Sequence, residues 1–233
     1  MPGKLSRVFQ DDPRRIPARL FGKLLALRLS MQSNVVLGGE INILGTPLID
    51  IRKGSKLYLG KGVILTSRNR GYHLNIAAPV KLFADRLGAE IRIGDETRIA
   101  GSCIHAWKSV TVGKRCLIAG NCQITDSNGH DLSFPNIENR TNSIGSVSPV
   151  VIEDDVWLGT NTIVLPGVRI GRGSVIGANS VVSSNIPPMV VARGNPAEVV
   201  LDYRLDYGEL TASDVYDFGE DEDQDRAQEE IAL

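Results

Sequence analysis

Three histidines carry most of the proton-transfer chemistry this chain can offer, and each stands where a regular pattern breaks. His130 closes the segment DSNGH, with Asp126 four residues before it and Arg140 ten residues after. An imidazole titrates near neutral pH, so it can take up a proton and return it within one reaction. Asp126 could orient such a ring or receive a hydroxyl, and it could equally hydrogen-bond its own loop backbone as a turn former. His105 and Trp107 stand together where an aliphatic unit is due. Departures from a fold's own rule gather at functional or strained places, so both are candidates to line a binding pocket. His73, in the irregular stretch 66–80, could touch a substrate but reads first as a surface-loop histidine.

The pattern that these residues interrupt is clearest from Val150 to Pro187, which repeats every six residues without a slip. Aliphatic residues open the units at Ile152, Leu158, Val164, Ile170, Ile176 and Val182; four residues later come Val156, Thr162, Val168, Ser174, Ser180 and Ile186. A helix would place apolar residues three and four apart, and a two-faced strand would alternate. A six-residue period with Gly159, Gly171 or Gly177 after the aliphatic position describes short strands joined by turns, stable only when stacked: a parallel β-helix. The same units recur from Ile91, with openers Ile93, Ile99, His105, Val112, Ile118 and Ile124. They recur raggedly from Val35 to Leu65, where Ile43, Ile49, Ile51, Leu57 and Leu59 are expected inside. Cys103, Cys116 and Cys122 all fall at the small inward position, and Cys103 and Cys122 would stack one coil apart as buried thiols. Their spacing makes neither a metal site nor a disulfide framework.

The ends differ from this body. Residues 1–33 carry seven Lys and Arg against two Asp, and residues 206–233 carry eleven acids against one Arg. Between them lies the 34–200 domain, with a loop excursion at 126–149 rich in Asn, Ser, Gly and Pro. An excursion of that length in a compact fold is usually functional or disordered. The basic segment 12–33 reads as a loop and a helix with Leu20, Leu24, Leu27 and Met31 along one side. Such a helix is expected to cap the open end of the coils, and residues 14–31 could instead associate weakly with an anionic membrane surface. The acidic segment 201–233 is expected to be solvated and disordered. No run is apolar enough for a signal peptide or a membrane span, which makes the cytoplasm the default compartment. A net charge of −1 gives no expectation of a nucleic-acid partner.

From Ile91 to Val200 the ordered words GH, PVVIEDDVWLG, LPGVRIG, SVIGANSVV, IPP and GNPA resemble the hexapeptide-repeat acyltransferases, in particular sugar and galactoside O-acetyltransferases. The resemblance implies an all-β fold of triangular, left-handed coils, a homotrimer with sites between subunits, and acetyl-CoA as co-substrate without a metal. It makes His130 the general base that takes a proton from a sugar or glycan hydroxyl as the hydroxyl attacks the thioester, with Asp126 beside it. Ser102 is a candidate to hold the oxyanion, and His105, Trp107 and Arg140 to meet the acceptor. The donor groove would be lined by Trp157, Gly159, Thr160, Gly177 and Ala178, with Ser183 and Arg193 near the nucleotide. Here the sequence departs from the family's pattern. Ser183 and Ser184 replace the usual Thr-Lys, and Glu198 replaces the usual basic residue after GNPA, so positive charge is missing where phosphates would lie. Amino-sugar N-acetylation and a non-catalytic scaffold are the competing readings. A zinc β-helix with three histidine ligands fits poorly, because the three histidines form no close pair.

Overall fold

The computed structural model describes residues 15–203 apart from residue 135; the acidic segment beyond residue 203 and the first fourteen residues lie outside it. Among the described residues, strands of two to five residues wind into six triangular coils. In coil three, Glu90–Ile93, Arg98–Ala100 and Cys103–Ala106 supply one strand to each of three faces. Coil four repeats this with Ser109–Val112, Leu117–Ile118 and Gln123–Thr125, and coil five with Val150–Ile152, Trp157–Leu158 and Ile163–Val164. Within each face the coil strands are parallel, as in Leu117–Ile118 against Trp157–Leu158 and then Val175–Ile176. This is a left-handed parallel β-helix.

Stacking explains the six-residue period. Ile152 pairs with Val112 on one side and Ile170 on the other, Leu158 with Ile118 and Ile176, Val164 with Ile124 and Val182. Every one of the twelve inward positions named between Ile152 and Ile186 is buried. Each fully buried aliphatic side chain contributes about 1.5–3 kcal/mol relative to exposure. The glycines after the aliphatic position serve close approach between coils: a Cβ on Gly159 would stand 2.6 Å from the Ala178 nitrogen, and one on Gly171 would stand 2.3 Å from the Pro188 nitrogen.

Coil three departs from the expected phase. Its turn from face two to face three is one residue shorter, so Ile104 rather than His105 pairs with Ile124 and turns inward. Cys103 therefore lies on the outer surface, opposite Gln123, and does not stack on Cys122. The residue that stacks there is Ser102, whose hydroxyl accepts the Cys122 N–H at 2.9 Å. Cys116 and Cys122 are buried as expected, and burial pushes the Cys116 thiol up to about 11.

The N-terminal helix, Arg15–Ser30, closes the first coil through Gly22, Leu25, Ala26 and Leu29, with a Cβ on Gly22 blocked at 2.3 Å by the Ile43 carbonyl oxygen. Capping thus holds, but through the face opposite to the leucine row: Leu20, Leu24, Leu27 and Met31 are exposed. At the other end, Val190–Arg193 extends face two and pairs antiparallel with Glu198–Asp202.

Candidate active site

The excursion between coils four and five is a tied hairpin. Ser127 and Val147 form an antiparallel bridge, and the Asn128 N–H reaches the Ser146 carbonyl at 3.2 Å while its amide reaches the Ser146 hydroxyl at 2.9 Å. Gly145 lies so close to His130 that a Cβ there would stand 2.8 Å from its backbone nitrogen. The tip folds back through a 3-10 helix, Ile137–Asn142. His130 is exposed, and its Nδ1 lies 3.1 Å from the Arg140 carbonyl oxygen. A carbonyl only accepts, so Nδ1 carries the proton and Nε2 presents a lone pair. Arg140 supplies that carbonyl while its guanidinium donates twice to the Leu132 carbonyl, at 3.1 and 2.9 Å, and lies 5.5 Å from the Phe134 ring. The structure thus engages Arg140 in shaping the loop, where the sequence reading gave it to the acceptor.

Asp126 does not orient His130. It is fully buried, and its carboxylate accepts the N–H groups of Trp107, Lys108 and Ser109, each at 2.7 Å. It caps the turn into coil four, 17 to 19 residues away, and not its own loop backbone, the other role the sequence left open. Ser102 is likewise misassigned: its hydroxyl is buried, donates to the carbonyls of Ala119 and Ala100 at 2.7 and 2.8 Å, and cannot meet an oxyanion.

His105 and Trp107 do come together, at the stem of the hairpin on face three. The His105 ring stacks on Phe83 with centroids 4.9 Å apart, and its Nε2 lies 3.4 Å from Asp85 Oδ1. The Arg86 guanidinium lies 4.0 Å over the Trp107 ring, and Trp107 Nε1 is buried without a hydrogen-bond partner among the described residues. A buried N–H left unmade costs about 1–3 kcal/mol. No group of three potential metal ligands occurs among the described residues. The three histidines stand on separate elements: the 66–80 loop, face three and the hairpin.

A groove of about 690 Å³ runs along face two. Trp157, Gly159, Thr160, Gly177 and Ala178, which the family resemblance grouped along a groove, line it together. They share one wall because coils five and six stack in register, Trp157 over Val175. The opposite wall is the 66–80 loop, with Tyr72, His73 and Leu74. That loop is pinned by Ile76 against Gly101, by the Asn69 side chain clasping the Ile76 backbone, and by Asn121, whose Oδ1 accepts the Ala77 N–H at 2.9 Å. Burial raises the Tyr72 phenol above its ordinary value, with Cys122 adding to the shift.

Ser183 and Arg193 are not among the lining residues; both are exposed, Ser183 after the last face-three strand. Arg193 stands one strand beyond Gly177, whose added Cβ would meet the Arg193 Cβ at 2.8 Å, so it borders the groove's end. Sequence reasoning missed Arg98 and Tyr72, and it set aside a substrate contact for His73 in favour of a surface-loop histidine, whereas His73 lines the groove. Arg98 precedes the opener Ile99 just as Trp157 precedes Leu158, and that shared position was a readable signal for a common face. Where the 66–80 loop would fold was not readable, because it carries no period.

Comparison with known proteins gives two family-model matches. "Bacterial transferase hexapeptide (six repeats)" covers residues 149–184 and "Hexapeptide repeat of succinyl-transferase" covers residues 90–126. A protein named for lipopolysaccharide biosynthesis O-acetyl transfer, WbbJ of Escherichia coli (strain K12), is 37% identical over 159 residues, 66% of this chain and 72% of that one. The galactoside O-acetyltransferase of the same organism is 41% identical over 92 residues, 40% of this chain and 43% of the relative. Among solved structures, an N-acyltransferase from Bacillus cereus, AntD, determined with dTDP and coenzyme A, superposes with a TM-score of 0.56 at 18% identity. It covers 76% of this chain and 88% of that one, a likeness of fold.

Proposed function

The chain belongs to the hexapeptide-repeat acetyltransferases, and on that premise we propose that it moves an acetyl group from acetyl-CoA to a hydroxyl of a sugar or glycan precursor. His130 Nε2 takes the hydroxyl proton as the oxygen attacks the thioester carbonyl. The new C–O bond forms, the C–S bond breaks, and the same proton passes to the departing coenzyme A sulfur. The observation that carries this reading is the Nδ1–H bond to the Arg140 carbonyl, which leaves Nε2 as a base on an exposed, tied loop.

The face-two groove is the donor site. Its small residues Gly159, Gly177 and Ala178 let a slender pantetheine arm lie close to the coils, and Trp157 and Leu117 offer apolar wall. Arg98 within the groove and Arg193 at its end supply the positive charge that Ser183, Ser184 and Glu198 do not. Thr160 replaces Ser102 as the hydroxyl available to the oxyanion. His105 at the hairpin stem meets the acceptor, with the Trp107 ring beside it.

His130 is not part of the groove's lining. Its hairpin leaves the corner after face three, whereas the groove lies on face two. A closed three-fold arrangement brings one copy's hairpin to the next copy's groove. The exposed Leu132, Phe134, Ile137 and Ile144 on that hairpin are the apolar surface such a contact would cover. The test is calorimetry with coenzyme A together with turnover on acceptors found by screening. His130→Ala should keep donor binding and lose about 10²–10⁴ in kcat; Ala178→Trp should lose donor binding. Unchanged turnover in His130→Ala, or no coenzyme A binding by the native protein, would overturn the reading.

A further inference from the structure

The N-terminal helix has two apolar sides, and the fold uses one. Leu25, Ala26 and Leu29 face the first coil. At about 100° per residue, the opposite side gathers Leu20, Leu24 and Leu27 into one stripe, continued by Met31 just past the last turn. These are 60%, 56%, 59% and 79% exposed, and Phe21 beside them is 46% exposed.

Charge says what covers this ridge. Lys23 flanks the stripe on one side and Arg28 on the other, both exposed. Lys23 lies 3.8 Å from Glu40, with both side chains more than 70% in water, so the pairing holds the lysine only weakly. From Pro13 to Met31 the sequence has five basic residues and no acidic one. A second copy of the helix laid on this stripe would set cation against cation. A protruding apolar ridge bordered by Lys and Arg matches the boundary between headgroups and acyl chains of an anionic bilayer. No described helix is long and apolar enough to cross a membrane, which leaves the in-plane mode.

We propose that the exposed stripe of Leu20, Leu24, Leu27 and Met31, with Lys23 and Arg28 at its edges, docks the protein on an anionic phospholipid surface. The helix lies among the headgroups and the coils stand away from the membrane. This inference is independent of the acyl-transfer reading, since none of these residues lines the groove or the hairpin.

The experiment is flotation of the full chain with vesicles of phosphatidylcholine alone and of phosphatidylcholine with phosphatidylglycerol, 3:1. The native protein should float with the anionic vesicles and release them as salt rises. Lys23→Gln with Arg28→Gln should weaken partition by about fivefold for each charge removed. Leu20→Gln, Leu24→Gln and Leu27→Gln together should abolish it while the melting temperature holds, because these side chains are each more than half exposed and none belongs to the buried core. Equal flotation of the native protein and the leucine variant would overturn the proposal. So would failure of the native protein to bind, with the leucine variant altering the oligomeric state in sedimentation, which would make the stripe a contact between copies. A requirement to remove residues 204–233 before binding would also overturn it, by making the acidic segment the stripe's occupant.

Discussion

The proton on His130 Nδ1 decides what its other nitrogen can do. With Arg140's carbonyl 3.1 Å away as an acceptor, Nδ1–H is engaged within the loop, and Nε2 is the nitrogen left to take a proton and give it back. The same reasoning about hydrogen-bond roles removes two residues from the chemistry. Asp126 spends its carboxylate on three backbone N–H groups, and Ser102 spends its hydroxyl inside the coil. Ser102→Ala should therefore lower stability by about 1–3 kcal/mol, read by denaturant unfolding, and leave kcat unchanged; a kcat loss with stability intact would restore it to the site. His130 stood out in the sequence because its GH word sits in a long interruption of a strict repeat, and its role as base is what the kinetics of His130→Ala test. Asp126 and Ser102 were misread because residue type and spacing do not reveal where a side chain points, and a one-residue shortening of the coil-three turn carried Ser102 inward and Cys103 outward.

The coil corners carry electrostatics of their own. Asp155, at a left-handed corner with φ 62°, accepts Arg115 through both oxygens, at 2.6 and 2.9 Å, and Arg172 at 3.1 Å, linking coils four, five and six. The bonds from Arg115 lead in holding its carboxyl below the usual value, with Arg172 adding to them. A depressed folded pKa contributes stability above the ordinary carboxylate range, which is lost as pH falls through the folded value. Native protein should thus exceed Asp155→Asn in melting temperature at neutral pH, by an amount worth up to about 1 kcal/mol. The gap should close in acid; a gap that persists there would assign the effect to backbone shape. The six-residue ladder could be read in advance because each inward position repeats identically along the stack. The helix was harder, because both of its sides are apolar and periodicity cannot say which side meets the coils.

At the scale of the molecule, His130 and the face-two groove lie on different parts of one prism. Face two carries Trp157, Thr160 and Ala178; the corner after face three carries the hairpin with His130, and beside its stem stand His105 and Trp107. The proposed acyl transfer therefore requires two half-sites, one from each of two neighbouring copies. The direct measurement is subunit complementation: co-express His130→Ala with Ala178→Trp, purify mixed oligomers, and assay acetyl transfer against each variant alone. Each variant alone should be near background. Equal mixing in closed trimers should restore about a quarter of native activity, since one site in four would pair an intact His130 with an intact neighbouring groove. Mixed oligomers as inactive as their parents would contradict a site shared between copies.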